Sequence, residues 1–240
     1  MNLSVSIIIP AYNSAKTIFT CLEEALKAID PQDEIIVVDD ASTDDTEKIA
    51  LNYNCKVKSL SQNRGPGFAR NFGAGVAQNE LLIFLDSDIV LKKETIEKMK
   101  QYFSHHPDCH TLTLNLDSTQ KTFGFFSDYK NLYMDHMLSS GELEVNYVYG
   151  ACCATRSRGF IPWPTTIRMT EDAAWGYRQK KLGLKIHCLK ELRVTHLKEY
   201  NLISLIRYDF LISSFACTPT IVFEAWPFLK KIIVGIPRMP

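Results

Sequence analysis

Three apolar runs in the first 90 residues each stop on polar or acidic residues. This pattern constrains the fold more than any other feature. The runs are "VSIIIPAYN" (5–13), "EIIVVDDAS" (34–42) and "LLIFLDSD" (81–88). Each is apolar throughout rather than alternating, as expected of strands covered by helices on both faces. Between the first two lies "SAKTIFTCLEEALKAI". It places Ile18, Cys21, Leu22, Ala25 and Leu26 on one helical face, with Ser14 as N-cap. "TDDTEKIALNY" reads as a helix with acids in its first turn, and "CKVKSL" as a short strand. "NRGPGFARNFGAGVA" reads as a glycine-rich loop entering a helix. Strands alternating with helices imply βαβ units. The predicted class is therefore α/β, a Rossmann-like mixed, mainly parallel sheet with helices on both faces. Ligands of such sheets sit beyond the carboxyl ends of the strands. Pro10, Ala11, Tyr12, Asn13, Asp39, Asp40, Asp86 and Asp88 all fall there. The first half of the chain builds one acidic, polar crevice.

The second half is less regular. "HTLTLNLD" and "LEVNYVYGACCAT" read as strands, and "LKIHCLKELRVTHL" as two short ones. "TEDAAWGYRQKKLG" reads as a helix capped by Thr170, opened by acids, closed by basic residues and ended by Gly183. At 240 residues the chain suits one large domain or two joined halves. The expected division is 1–200, with halves 1–100 and 101–200, followed by a distinct segment, 201–240.

Basic and acidic residues balance at 27 each, which speaks against wholesale nucleic-acid binding. Seven scattered cysteines without a CxxC pair suit a reduced, cytoplasmic setting. The first strand begins at once, so a signal peptide is not expected.

Each motif has a chemical reading and a plainer one. Alternation puts Asp86 and Asp88 on one side of an extended segment, where both could face a divalent cation on a diphosphate. A lone D-x-D is more often a turn or cap; the second acidic strand end shifts that balance. Asp39 and Asp40 suit hydrogen bonds to a base or ribose, or an Asx-turn that Ser42 and Asp44 could serve equally. "NRGPGFARN" offers amides, Arg64 and Arg70 to an anion, yet fits neither a P-loop nor G-x-G-x-x-G. Its plainer reading is a proline-fixed bend. Glu171 and Asp172 either compensate a helix dipole or supply a general base. A lone histidine such as His196 is more often structural than a ligand, and Cys152 and Cys153 most simply pack.

Taken in order, "VSIIIPAYN", "EIIVVDDASTD", "NRGPGFARNFG", "LLIFLDSD", "TEDAAWGYRQKKLG" and "VTH" resemble the family 2 glycosyltransferases with the GT-A fold. The resemblance spans roughly residues 4 to 198. It implies transfer of a sugar from a nucleotide diphosphate sugar, UDP by default, to a glycan or lipid-linked acceptor. It assigns nucleotide-sugar binding to Pro10, Ala11, Tyr12, Asn13, Asp39, Asp40, Asn63, Arg70 and Asp86. It makes Asp88, with Asp86 and His196, the ligands of Mn²⁺ or Mg²⁺, and Asp172 the catalytic base of an inverting reaction. The chain departs from the family where Ile89 replaces a further Asp, and it lacks the Q-x-x-R-W of processive synthases, so one or a few sugars per encounter are expected. A nucleotidyltransferase would carry a glycine-rich basic loop where "PAYNSAKT" stands. A receiver domain would place its acidic pair after the first strand. A non-catalytic nucleotide-sugar binder stays open.

Residues 201–240 are apolar and aromatic, with Arg207, Lys230, Lys231 and Arg238 interspersed. They read as an amphipathic segment for a peripheral membrane contact, or as a tail packed on the domain or on a partner.

Overall fold

The computed structural model describes residues 3–118, 124–138 and 143–207. The reading of 201–240 therefore lies outside the described residues beyond position 207. The chain runs β1 (Val5–Ala11), α1 (Ile18–Ala28), β2 (Glu34–Asp39), α2 (Thr46–Ala50), β3 (Lys56–Ser59), α3 (Pro66–Val76), β4 (Leu81–Leu85) and β5 (Ile89–Val90). It continues through α4 (Lys93–His105), β6 (Cys109–Leu116), α5 (Phe125–Leu138), β7 (Glu144–Val145), β8 (Cys152–Arg156), α6 (Glu171–Lys181) and β9 (Lys185–His196).

The described strands form one sheet in the order β3-β2-β1-β4-β8-β6-β9-β5, with β7 paired to β9. β1 lies between β2 and β4 and is parallel to both. The chain steps outward from β1 to β2 to β3, then returns to lay β4 on the other side of β1. Loops leaving β1 and β4 therefore diverge, and a crevice opens between them at the switch point. β8 is antiparallel between β4 and β6, while β6 and β9 run parallel. The sheet is mixed but mainly parallel.

Every residue of β1 and of β4 is buried, which accounts for their unbroken apolar sequence. Successive side chains serve opposite faces. Ile7, Ile9, Ile83 and Leu85 join the core under α1 and α4. Ile8, Leu82 and Phe84 join the core of Trp163 and Trp175. Phe84 meets Trp163 edge-on at 5.2 Å, and the two tryptophans stack at 4.0 Å.

Several boundaries differ from those predicted. α1 begins at Ile18 rather than after Ser14. The Ser14 carbonyl accepts from the amides of Thr17 and Ile18, and its hydroxyl is engaged by Ser87 at 2.7 Å. The run "LEVNYVYGACCAT" splits into β7 and β8. The two short strands of "LKIHCLKELRVTHL" are one 12-residue β9, with register shifts against β6. Thr170 precedes α6, but in the left-handed region (φ 64°) and without a side-chain cap. Neither α5 nor β5 was expected. Among the described residues no helix is long and apolar enough to cross a membrane.

Behind β6 lies a buried polar cluster. His110 Nδ1 lies 3.2 Å from Gln179 Oε1, and Nε2 lies 3.2 Å from the Gly159 carbonyl. Burial pushes the His110 pKa below the usual histidine value, against the pull of Gln179 and Gly159. The unfolded chain then binds the proton more readily, so stability rises with pH through this group. Thermal stability is expected to fall as pH drops from 7 through about 6.5. His110→Gln should flatten part of that fall in melting curves taken between pH 7 and 5.5.

Candidate active site

The site is assembled from strand ends that the topology brings together. Pro10 and Ala11 close β1, and the Ala11 carbonyl accepts the Asp40 amide at 2.8 Å. The loops after β1 and β2 are then stitched to each other. Asn13 N–H donates to Ser42 Oγ at 3.0 Å, and Asn13 Oδ1 accepts the Thr43 amide at 2.8 Å. Asn13 (φ 49°) and Ala41 (φ 59°) both adopt the left-handed region. Non-glycine residues persist there only when surroundings over-determine them, and such places cluster at functional sites. Tyr12, between the end of β1 and Asn13, is 49% exposed.

The two aspartates after β2 divide their tasks. Asp40 is buried, and its two carboxylate oxygens accept the amides of Arg64 and Gly65, each at 2.7 Å. It fixes the backbone of the glycine-rich loop. Asp39 Oδ2 accepts the Ser42 amide at 3.1 Å, the Asx-type turn. Its Oδ1 is buried and has no hydrogen-bond partner among the described residues. A buried carboxylate oxygen left open is a site for a donor from outside the chain. Asn63 beside it is held by Arg168, whose Nη1 reaches Asn63 Oδ1 at 2.9 Å. Arg168 was not anticipated: it is distant in sequence and belongs to no motif.

Arg70 is the hub. It is fully buried in α3, and its guanidinium donates to Glu171 Oε1 at 2.7 Å and to Asp86 Oδ1 at 2.8 Å. Nη2 also reaches the Gly150 carbonyl at 3.3 Å, and the plane lies 4.5 Å from the Trp163 ring. The Gly150 amide in turn donates to Asp172 Oδ2 at 3.0 Å. One residue, Gly150, thus joins Arg70 to Asp172 through its carbonyl and its amide. A Cβ at Gly150 would lie 2.9 Å from Asp172 Cβ, so only glycine permits that approach. α3 is held against the loop before α6 in the same way. A Cβ at Gly67 would fall 2.2 Å from the Pro164 carbonyl, and Asn71 exchanges hydrogen bonds with the Trp163 backbone.

Asp86 and Asp88 do not act as one extended pair. The segment turns, with the Ile89 amide donating to the Asp86 carbonyl at 3.0 Å. Asp86 faces Arg70, whereas Asp88 Oδ2 lies 3.2 Å from His196 Nε2. The β5–β9 pairing sets Ile89 opposite His196 and delivers that ring. Burial would raise Asp88, but the hydrogen bond and charge of His196, with Lys198, hold it below the usual carboxylate range. Asp86 moves the other way: burial, opposed by Arg70 and reinforced by Asp88, raises it. Burial also raises Glu171, against Arg70 and with Asp172 adding to it. Asp86 and Glu171 share a single guanidinium beside two more acids, so the crevice holds excess negative charge.

Such a crevice suits a cation. Among the described residues, no group of three or more His, Cys, Asp or Glu side chains could by itself hold a metal. Asp88 and His196 nonetheless supply one carboxylate and one imidazole side by side. Mg²⁺-like ions are commonly bound by one or two carboxylates together with substrate phosphates. The donor set fits an ion completed by a diphosphate.

Removing Arg70 should strand Asp86 and Glu171. Arg70→Met is expected to cost roughly 3–5 kcal/mol, read as a lower urea midpoint at unchanged slope. Adding Glu171→Gln should recover part of the loss. Arg70→Lys should fall between, since an ammonium cannot fork to two carboxylates and lie flat on Trp163.

Residues 6–161 match the family model "Glycosyl transferase family 2". Among curated proteins, 114 residues are 39% identical to poly(ribitol-phosphate) beta-N-acetylglucosaminyltransferase TarS of Staphylococcus aureus (strain Mu50 / ATCC 700699). The match covers 44% of this chain and 20% of that protein, so the likeness spans about a fifth of the relative's length. The crystal structure of S. aureus TarS 1-349 in complex with UDP-GlcNAc superposes with a TM-score of 0.67 at 20% identity. It covers 98% of this chain and 77% of the other. Glucosyl-3-phosphoglycerate synthase from Mycobacterium tuberculosis, solved with Mn²⁺, UDP and glucosyl-3-phosphoglycerate, gives 0.64 at 17% identity, covering 89% and 78% of the two chains. The sheet order and helical layers are those of the GT-A fold.

Proposed function

Because this chain belongs to glycosyl transferase family 2, we propose that it moves a sugar from a nucleotide diphosphate sugar to an acceptor hydroxyl with inversion at the anomeric carbon. The observation that carries this reading is the continuous path from Asp86 through Arg70 and the Gly150 backbone to Asp172. It sets one carboxylate, that of Asp172, at the switch-point crevice. Glu171 beside it is already spent on Arg70.

On this reading the nucleoside lies along Pro10 and Ala11, with Tyr12 as an aromatic wall and Asp39 Oδ1 as an acceptor. Asn13, Asp40 and Asn63 hold the loops that shape its seat, and Arg70 holds Asp86. The Asp172 carboxylate takes the proton of the acceptor hydroxyl. The hydroxyl oxygen bonds to the anomeric carbon from the face opposite the diphosphate, and the carbon–oxygen bond to the diphosphate breaks with its electron pair leaving on phosphate. General-base help is worth about 10²–10⁴-fold, and positioning adds to it. When bound, Mn²⁺ or Mg²⁺ held by Asp88 and His196, with Asp86 near, supplies positive charge against the departing diphosphate.

The solved neighbours with UDP-GlcNAc, and with Mn²⁺ and UDP, support a UDP-sugar donor and a divalent ion. The staphylococcal relative, a poly(ribitol-phosphate) beta-N-acetylglucosaminyltransferase, supports a polymeric glycan acceptor. Residues 1–100 form the donor half and 101–200 the acceptor half. Among the described residues six cysteines are free, including adjacent Cys152 and Cys153, which supports a reducing, cytoplasmic setting.

The test is calorimetric titration of UDP, GDP and dTDP, with and without Mn²⁺, alongside transfer assays. One nucleotide should bind in a metal-dependent way, and Asp88→Ala should abolish that dependence. Asp172→Asn should keep nucleotide affinity while transfer falls about 10²–10⁴-fold. A wild-type protein that binds nucleotide sugar yet neither transfers nor hydrolyses it would overturn catalysis and leave a binding protein.

A further inference from the structure

α5 is built inside out. A surface helix normally turns its apolar stripe to the core and its polar face to water. In α5, Ser127, Lys130 and Asn131 are buried, whereas Phe125 is 77%, Tyr129 52% and Leu132 61% exposed. Positions 125, 129 and 132 follow i, i+4, i+7 spacing, so the three form one outward stripe. Residues 202–207 are helical and also turn apolar side chains outward: Leu202, Ile203 and Ile206 are 52%, 66% and 59% exposed, with Leu205 buried. The two helices are neighbours: the Tyr200 amide just before the second donates to Ser127 Oγ, on the buried side of α5, at 2.8 Å. Single exposed apolar residues are ordinary, but two such sets on neighbouring helices, one of them with polar residues turned inward, mark a surface that something covers.

We propose that this face docks on a lipid bilayer surface. The described chain ends at Arg207, on the face itself, and runs on for 33 residues. Those residues include Phe210, Phe215, Phe223, Trp226 and Phe228, with Lys230, Lys231 and Arg238 among them. Aromatic and aliphatic residues interspersed with Lys and Arg are the composition of segments that lie in a membrane interface. Lys198 and Arg207, both exposed, stand beside the stripes and suit anionic headgroups. The face is also tethered to the crevice. β9 ends at His196 beside Asp88, the Leu197 amide donates to the Asp88 carbonyl at 2.7 Å, and Tyr200 anchors α5. A bilayer on this face lies next to the acceptor half, so the acceptor reaches the site in the plane of the membrane. That consequence rests on the function proposed above; the surface itself does not.

The experiment is flotation of the full chain with phosphatidylcholine vesicles, with and without phosphatidylglycerol, and UDP calorimetry on the same samples. Wild type should float with the anionic vesicles. Phe125→Ser/Tyr129→Ser/Leu132→Ser should lower its partition at least about tenfold while UDP affinity stays unchanged. Leu202→Ser/Ile203→Ser/Ile206→Ser should do the same independently. Failure of wild type to float, or flotation equal in all three proteins, would overturn the proposal, the latter by leaving residues 208–240 alone responsible. A wild-type dimer that both variants turn into monomers, with no vesicle effect, would overturn it in favour of a second copy on this face. Wild type that floats through the stripe but binds no nucleotide would sink the function proposed above and leave the surface standing.

Discussion

A buried guanidinium shared by two carboxylates from distant parts of the chain holds the two halves of this protein in register. Arg70 sits on α3, Asp86 at the end of β4 and Glu171 at the start of α6. A buried ion pair is weak evidence for stability in itself, because desolvation offsets much of the attraction. Its value here is directional. A planar fork satisfied on both prongs and backed by Trp163 admits one arrangement of three elements. The switch point provides a crevice in any sheet of this order; Arg70 decides that Asp172, tied through Gly150, stands in it.

How much of this was legible in the sequence follows from how each feature is encoded. The ends of β2 and β4 are one-dimensional signals, since an unbroken apolar run stopping on Asp needs no partner to be read. Asp40 and Asp172 came with their motifs. The Arg70–Glu171 contact joins positions 101 residues apart, and nothing in either motif names the other. Arg168 on Asn63 is hidden for the same reason. The divergence of Asp86 and Asp88 was lost because alternation presumes an extended strand, and the chain turns there instead. α5 escaped notice for a sharper reason. Periodicity arguments look for apolar residues pointing inward, and in this helix the polar residues do so.

Electrostatics and backbone strain converge on the same place. Asn13, Ala41 and Thr170 are the described non-glycine residues with positive φ, and each lies at a strand end or helix start that lines the crevice. The acids Asp86, Asp88, Glu171 and Asp172 face one guanidinium and one imidazole. Burial raises Asp86 and Glu171, their acidic neighbours Asp88 and Asp172 add to it, and the uncompensated charge works against folding. On the proposed function, a cation entering with a diphosphate relieves part of it. Ligand binding and local stability are then linked through one charge balance, and the crevice is most settled when it is filled.

The inverted helix extends this logic from the donor to the acceptor. Lys130 and Asn131 face inward at a desolvation cost, while aromatic and aliphatic residues face out. A chain needing only to be soluble would gain by reversing that face. The inversion makes sense if the outward side has an apolar environment of its own. The short path from His196 through Leu197 to Tyr200 puts that environment within one turn of chain of the Asp88 carboxylate. On the proposed function, donor chemistry and acceptor delivery meet at the two ends of a five-residue segment, and a movement of α5 is felt first at Asp88 and His196.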